Sequence, residues 1–231
     1  MKTLNFKDLT IQISEKNYIH QKNTPTDIRI KEGIYEKEEI SLIKKSVTPN
    51  SKVWDLGASI GITSCVINRI LENKSKMVVV EANPNLIDDL KNNRNINSLD
   101  FSIEHGAISY NKRKVRFNFN GLSLSGSIFK KSWLIGDKWG KYKNIELTTM
   151  TPMDLELKYN IKFDFLSCDI EGEEYVLLNE LYDYFSNYKA MVVEFHEKCA
   201  SLKINRNSIE KKYSKIFNIK RLGSSSLFTK K

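Results

Sequence analysis

Cysteine, proline and long apolar runs are scarce in this 231-residue sequence. Its three cysteines, Cys65, Cys168 and Cys199, lie far apart and form no C-x-x-C pair, so neither a zinc site nor a disulfide framework is predicted. No run of about 18 apolar residues is present, which excludes a predicted membrane span. Residues 1–8 lack the apolar stretch of a secretory signal. We therefore expect a cytoplasmic protein with reduced thiols.

Acidic residues are also in deficit, with 28 against 37 lysines and arginines, so the net charge is +9. A basic balance of this kind is found in proteins that bind nucleic acid. The basic residues are scattered, however, and their densest groups are short: Lys112–Lys114, Lys211–Lys212 and Lys230–Lys231. Because a dedicated binding patch should cluster, a solvated lysine-rich surface is the preferred interpretation, and a nucleic-acid partner is the weaker one.

Strand-like and helix-like segments alternate along residues 52–108 and again along 163–195. This rhythm predicts βαβ units and a doubly wound, Rossmann-like α/β sheet that is mostly parallel. The segments 215–221 and 225–229 predict a closing antiparallel pair at the C-terminus. We predict one domain over residues 1–231, with an N-terminal extension containing a helix over 1–50 and a core over 51–231.

A glycine-rich insertion is predicted within this core at residues 110–150. Its central part, 121–140, holds Trp133 and Trp139 and predicts an irregular excursion. These tryptophans could line an acceptor pocket or merely cover the edge of the sheet.

The strongest local signal is a strand that runs into a glycine-bearing turn and then a helix, with the sequence D-L-G-A-S-I-G over Asp55–Gly61. Gly57 permits a tight turn and close approach to a ligand, and Gly61 permits close helix packing. The spacing differs from the G-x-G-x-x-G of dinucleotide sites. The Asp55 carboxylate would repel a pyrophosphate, but it suits the ammonium group at the methionine end of S-adenosylmethionine.

Acidic residues also end the following strands of the predicted sheet. Glu81 follows three valines, where a carboxylate can accept hydrogen bonds from both hydroxyls of a ribose. Asp169 and Glu171 follow the strand 163–168, and His196 follows the strand 191–195 on the same face as Glu194. Ligands of open α/β sheets bind outside these carboxyl ends, so the three segments predict one site.

Asp169 is the preferred candidate for the base or the residue that orients the acceptor, and Glu171 and His196 are the alternatives. Asp169 and Glu171 are hard oxygen ligands, but nothing else in the sequence completes a metal cage, so no metal site is predicted.

Together these segments resemble the FkbM family of S-adenosylmethionine-dependent methyltransferases. The matching stretches are Asp55–Gly61, Glu81–Pro84 and Asp169–Glu174. The lead-in Glu32–Glu36 and the segment His105–Ser109 are also similar to the family, the latter to the stretch where its third strand passes the adenine. The resemblance implies S-adenosylmethionine as the cofactor and O-methylation of a hydroxyl, often on a sugar or a polyketide-like product.

The resemblance covers residues 28–200, with two departures. Ser59 replaces the usual asparagine of the first motif, and Ser167 stands where many members carry lysine. The residues expected to contact the cofactor are Asp55, Gly57, Ala58, Ser59, Gly61, Ile62, Glu81, Ala82, Asn83 and Ala107.

Two other functions stay open at this point. A ribose 2′-O-methyltransferase acting on RNA would fit the basic charge, although the sequence lacks the Asn/Asp-Pro-Pro-aromatic motif of amino-methylating enzymes and the Pro-Cys pair of cytosine C5 enzymes. A protein that binds S-adenosylmethionine without activity would show the same motifs. The preferred partner is a small-molecule or glycan acceptor, and the sequence predicts no oligomeric state.

Overall fold

A computed structural model describes residues 1–6, 8–14, 25–110, 113–120, 124, 126–129, 141–196 and 204–231. Cys199, Lys112, Trp133 and Trp139 lie outside these residues. No helix in the described part of the chain has the length and apolar character needed to cross a membrane.

The elements follow one another along the chain in this order. They are β1 (Lys2–Phe6), β2 (Leu9–Ile13), α1 (Pro25–Glu32), α2 (Lys37–Ser46), β3 (Val53–Leu56), α3 (Ile62–Ile70), β4 (Met77–Glu81), α4 (Ile87–Ile96), β5 (Ser102–His105), β6 (Ala107–Ile108), β7 (Lys114–Asn120), β8 (Gly126–Ser127), β9 (Tyr142–Met150), α5 (Pro152–Tyr159), β10 (Phe165–Cys168), α6 (Glu174–Glu180), α7 (Tyr182–Phe185), β11 (Ala190–Glu194), α8 (Arg206–Tyr213), β12 (Phe217–Leu222) and β13 (Ser225–Lys230).

The main sheet has seven strands in the order β12-β13-β11-β10-β3-β4-β5. The five strands from β11 to β5 pair in parallel, and β12 and β13 pair antiparallel at one edge. The strands β3, β4 and β10 are buried along their whole length, as expected for parallel strands covered on both faces. The predicted Rossmann-like sheet, mostly parallel with a C-terminal antiparallel strand, is confirmed.

Helices cover both faces of this sheet. Alternate strand residues point to opposite faces. Val53 and Val79 belong to a core shared with α2, α3 and α4, whereas Trp54 and Val78 belong to a core shared with α5, α6 and α8. The sheet is therefore doubly wound.

The N-terminal residues add to the first of these cores. β1 and β2 form an antiparallel hairpin whose Ile11 and Ile13 are fully buried. Asn93 and Asn97 of the α4 region accept hydrogen bonds from the backbone N–H groups of Ser14 and Gln12 at 2.9 and 2.8 Å. The helix α1 was not predicted.

The segment 101–108 has a strand-like sequence, but it forms two strands instead of one. The first strand ends before Gly106, and β6 leaves the main sheet to pair in parallel with β9 in a second sheet of order β6-β9-β7-β8. A side chain at Gly106 would meet the Met150 Cε at 2.4 Å, because β9 runs close beside it. The second sheet buries Phe117, Phe119 and Leu147. The helix-like segment 173–185 is likewise divided into two helices, at Leu181.

Candidate active site

A cavity of about 420 Å³ opens at the carboxyl ends of β3, β4, β10 and β11. This volume lies in the range of about 300–1,000 Å³ that small-molecule sites occupy. Many of the predicted site residues line it: Gly57, Ser59, Glu81, Ala82, Ala107, Asp169, Glu171 and His196. The structure thus brings residues from four separate strand ends to one cavity.

The turn after β3 lies close to the ends of both neighbouring strands, β4 and β10. The N–H groups of Gly57 and Ala58 donate to the carbonyl of Val80 at 2.9 and 3.3 Å. Gly57 has a φ of +80°, and a Cβ there would lie 1.7 Å from the carbonyl oxygen of Asp169. Gly57 is therefore required by the backbone that passes beside it.

Gly61 serves helix packing instead. It has a φ of +84° at the start of α3, and a Cβ would lie 2.4 Å from Leu90 Cδ1 of α4. Ile62 is the first residue of that helix and is buried.

Glu81 is held by the backbone on both of its carboxylate oxygens. Oε2 accepts from the Ser59 N–H and Oε1 from the Asn83 N–H, each at 2.6 Å. Burial raises the pKa of Glu81 to about 7, although the backbone N–H groups of Asn83, Ser59 and Ala82 oppose this shift. Glu81 lines the cavity, and Asn83 is fully buried beneath it.

If Glu81 holds the ribose of S-adenosylmethionine, as its place in the sequence predicts, cofactor affinity should depend on pH. A ribose hydroxyl donates to a carboxylate, so protonation below a pKa of about 7 should weaken the affinity by up to about tenfold per pH unit. We expect calorimetry at pH 6, 7 and 8 to show this loss in the wild-type protein. Glu81→Gln should bind weakly and with a smaller pH slope than the wild type.

The control variant is Glu146→Gln, which removes an exposed carboxylate paired with Lys114. It should keep both the affinity and the pH slope of the wild type. A wild-type affinity that stays constant over this pH range would remove Glu81 from the ribose position.

Asp55 does not line the main cavity. It is 2% exposed, and its Oδ2 accepts a hydrogen bond from Ser64 Oγ at 2.5 Å. Burial raises the pKa of Asp55 to about 6, and hydrogen bonds from Ser64 and Ser167 oppose the shift. Together with Ala58 and Ile62 it borders a second cavity of about 20 Å³ beside the turn.

His196 lies among three carboxylates. Its Nε2 is 3.3 Å from Asp169 Oδ1 and 3.8 Å from Glu171 Oε2. Its Nδ1 is 3.4 Å from Glu174 Oε1, an ion-pair distance outside hydrogen-bond geometry, and the same oxygen accepts the His196 backbone N–H at 2.9 Å. Burial lowers the pKa of His196, but these carboxylates outweigh it and raise the pKa to about 10.

Asp169 reaches the cavity with 29% of its side chain exposed. Burial is the main cause that raises the pKa of its carboxyl well above the usual range. The charge on His196 opposes this shift, and Glu194, Glu36 and Glu171 add to it. Asp169 and His196 therefore form a coupled acid–base pair at the cavity wall.

Several cavity residues were not predicted from the sequence. They are Arg29, Tyr35, Glu36, Phe117, Leu124, Gly126 and Ile128. The fully buried Glu174 carboxylate behind His196 was also missed as a contact. The position of Glu39 could have been recognised from the sequence, because it shares the buried face of α2 with Ile40 and Ile43. An acidic residue on an apolar helix face needs a partner or a proton.

Asp169, Glu194 and His196 place donor atoms within 4.8 Å of one another, a spacing that a cation could share. The His196 pKa of about 10 means that an imidazolium already supplies positive charge there at neutral pH. We therefore expect the initial rate of methyl transfer to stay unchanged after dialysis against a chelator. A rate that is lost and then restored by Mg²⁺ or Mn²⁺ would contradict this expectation.

Comparison with known proteins identifies the class to which this protein belongs. The chain matches the methyltransferase FkbM domain over residues 55–203. The sheet and this match define an S-adenosylmethionine-dependent methyltransferase with a Rossmann-like fold. The chain belongs to the FkbM methyltransferase family, as its motifs predicted, and S-adenosylmethionine is its cofactor. Comparison with curated proteins finds no significant match.

Several solved structures are similar to this chain at low identity. A ribosomal protein L11 methylase from Lactobacillus delbrueckii subsp. bulgaricus is 12% identical, with a TM-score of 0.47 over 83% of this chain and 75% of the other. A variant of MtNAS in complex with S-adenosylmethionine is 9% identical, with a TM-score of 0.48 over 93% and 70%. An rRNA methylase from Streptococcus thermophilus is 5% identical, with a TM-score of 0.46 over 83% and 93%.

Proposed function

We propose that this methyltransferase transfers a methyl group to a hydroxyl of a small molecule or a glycan. The observation that carries the proposal is the Asp169–His196 pair, 3.3 Å apart, on the cavity that also contains the turn after β3. A hydroxyl must lose its proton to become a good nucleophile, and a positioned base typically contributes about 10²–10⁴-fold to the rate.

The cavity suits the proposed cofactor. The Glu81 carboxylate would accept the ribose hydroxyls, and the Gly57–Ser59 turn, with Asp55 behind it, would hold the methionine end. Small side chains at Ala82 and Ala107 leave room for a flat base. When bound, S-adenosylmethionine supplies an electrophilic methyl group with its own leaving group.

The chain itself has to align the acceptor and take its proton. Asp169 accepts the hydroxyl proton, since burial raises the pKa of its carboxyl and so makes its anion a stronger base. His196, held cationic between Asp169, Glu171 and Glu174, balances the charge of these carboxylates. Glu171 is the alternative proton acceptor, whereas His196, the other alternative predicted from the sequence, is already protonated in this arrangement.

The charge on the cavity wall favours an acceptor that is not a polyanion. Four carboxyl groups line the cavity, those of Glu36, Asp169, Glu171 and Glu194, against two cationic side chains, Arg29 and His196. This excess of acidic groups disfavours the phosphates of a nucleic acid. The aromatic face of Phe117, together with apolar residues of the second sheet, offers a wall for a ring-shaped acceptor. This argument makes the RNA ribose methyltransferase the weaker alternative despite the net charge of +9.

An acceptor panel tests the proposal. Methyl transfer from labelled S-adenosylmethionine is measured with neutral sugars, amino sugars, glycans, hydroxylated small molecules and RNA, and the methylated atom is assigned by NMR. We expect an O-methyl product from a sugar or small hydroxylated compound. Salt-dependent RNA binding with ribose methylation would replace this proposal by the RNA alternative. Cofactor binding without turnover on any acceptor would point to a binding protein.

A further inference from the structure

Glu39 is a buried carboxyl group to which the proposed mechanism assigns no role. It lies on α2, outside the matched family region, and is 4% exposed. Its Oε1 lies 3.4 Å from Ser167 Oγ, and its Oε2 lies 3.5 Å from Thr63 Oγ1. Both hydrogen bonds are long, so Glu39 receives little of the stabilisation that a buried carboxylate requires.

Ser167 stands between Glu39 and Asp55. It is opposite Asp55 in the parallel register of β10 and β3, and its hydroxyl lowers the pKa of the Asp55 carboxyl. A hydroxyl group has one proton to donate. If both carboxyl groups were ionised, Ser167 could donate a hydrogen bond to only one of them. If Glu39 carries a proton, Glu39 donates to Ser167 and Ser167 donates to Asp55, so that each contact has a donor and an acceptor.

Other acidic groups crowd Glu39. Oxygen atoms of Glu36, Glu39 and Glu194 lie within 4.8 Å of one another. Asp169 and Asp55 add further negative charge, and the Tyr35 hydroxyl is the remaining titratable neighbour. In the described parts of the chain, no lysine, arginine or histidine forms an ion pair with Glu39 or Asp55. Carboxyl groups this close do not all ionise.

We propose that Glu39 carries a proton in the folded protein and, through the Ser167 hydroxyl, positions Asp55 as an anion beside the turn after β3. Glu39 is thus a positioning residue that acts through Ser167. The part of this inference that concerns cofactor binding rests on the proposed place of Asp55 at the methionine end of the cofactor. The part that concerns the proton on Glu39 stands without it.

The acidities of the two carboxyl groups agree with this arrangement. Burial, followed by the charges of Glu36, Asp169 and Asp55, raises the pKa of Glu39 well above its usual range. The pKa of Asp55 is raised by burial only to about 6. Of the two carboxyl groups, Glu39 is therefore the one favoured to hold the proton, with Asp55 as the anion.

Infrared difference spectroscopy tests the proton directly. We expect the wild-type minus Glu39→Gln difference spectrum at pH 7 to show the carbonyl stretch of a buried protonated carboxylic acid, because any contribution from Glu81, whose pKa is about 7, is common to both proteins and cancels. The wild-type minus Glu146→Gln difference spectrum, which reports on an exposed carboxylate, should lack this band. A wild-type minus Glu39→Gln difference spectrum without the band would overturn the assignment of the proton.

Cofactor affinity tests the positioning role, measured by calorimetry with S-adenosylmethionine. Glutamine is neutral and keeps an N–H donor, so Glu39→Gln should bind within about threefold of the wild type, less than the effect of one hydrogen bond. Glu39→Met keeps the size but not the donor and should bind about tenfold more weakly. Equal affinities of the methionine variant and the wild type would refute the positioning role.

Two further variants keep the test decisive. Ser167→Ala leaves Glu39 in place and breaks the relay, so it should also bind about tenfold more weakly even if Glu39→Met fails to fold. Wild-type affinity in Ser167→Ala would likewise refute the relay. Asp55→Asn separates this inference from the proposed site: if it binds as well as the wild type, Asp55 is not a cofactor residue, and the infrared band still decides the state of Glu39.

Discussion

Replacement of Gly57 by alanine is expected to destabilise the protein severely and to abolish binding of S-adenosylmethionine. The new Cβ would lie 1.7 Å from the carbonyl oxygen and 2.7 Å from the carbonyl carbon of Asp169, both of which are backbone atoms. Strand β10 cannot retreat easily, because the Asp169 N–H donates to the Leu56 carbonyl at 2.9 Å. The strand ends must therefore separate where the cavity is formed.

The size of the effect follows from two contributions. Overpacking of a close-packed site costs about 1–3 kcal/mol, and a left-handed conformation costs an alanine about 1–2 kcal/mol relative to glycine. We expect the free energy of unfolding of Gly57→Ala to fall by about 2–5 kcal/mol, measured by denaturant titration.

Gly33→Ala is the matched control for this experiment. Gly33 has a φ of +69°, and a Cβ there meets no heavy atom within 4 Å. Its free energy of unfolding should fall only by the conformational contribution, about 1–2 kcal/mol, and it should keep cofactor binding. Equal losses of stability in the two variants would mean that the Asp169 backbone is not in contact with the turn.

The architecture and the family could be predicted because local patterns carry them. The valine-rich run before Glu81 and the apolar strand before Asp169 each end in an acid, which defines the carboxyl edge of a parallel sheet before any contact is known. The spacing of the glycines after Asp55 distinguishes a site for S-adenosylmethionine from a dinucleotide-binding site. These signals lie within single βα units, so a single sequence is sufficient to show them.

The contacts that cross between units could not be predicted in the same way. Glu36 and Glu39 come from the N-terminal extension and reach the site only because α2 packs against the sheet beside β11. The break at Gly106 follows from the path of β9, about 40 residues further along the chain. Such pairings depend on long-range packing, and no local period of the sequence encodes them.

Replacement of Asp169 by asparagine is expected to lower turnover on the accepted substrate by about 10²–10⁴-fold, the range that a positioned base contributes. Asparagine keeps the shape of the side chain but cannot take the proton of a hydroxyl. The affinity for S-adenosylmethionine should change little, because the backbone carbonyl of Asp169, and not its side chain, is the part that lies against Gly57. Calorimetry and steady-state rates measure the two effects separately.

Asp164→Asn is the matched control, since Asp164 precedes the same strand at its opposite end. Its carboxylate pairs with Lys189 at 2.8 Å and accepts the Lys52 N–H at 2.7 Å, away from the cavity. This variant should turn over at the wild-type rate. If Asp169→Asn also turned over at the wild-type rate, Asp169 would not be the base. Loss of turnover in Glu171→Gln would then identify Glu171 as the base, because its Oε2 lies 3.8 Å from His196 Nε2 in the same cluster.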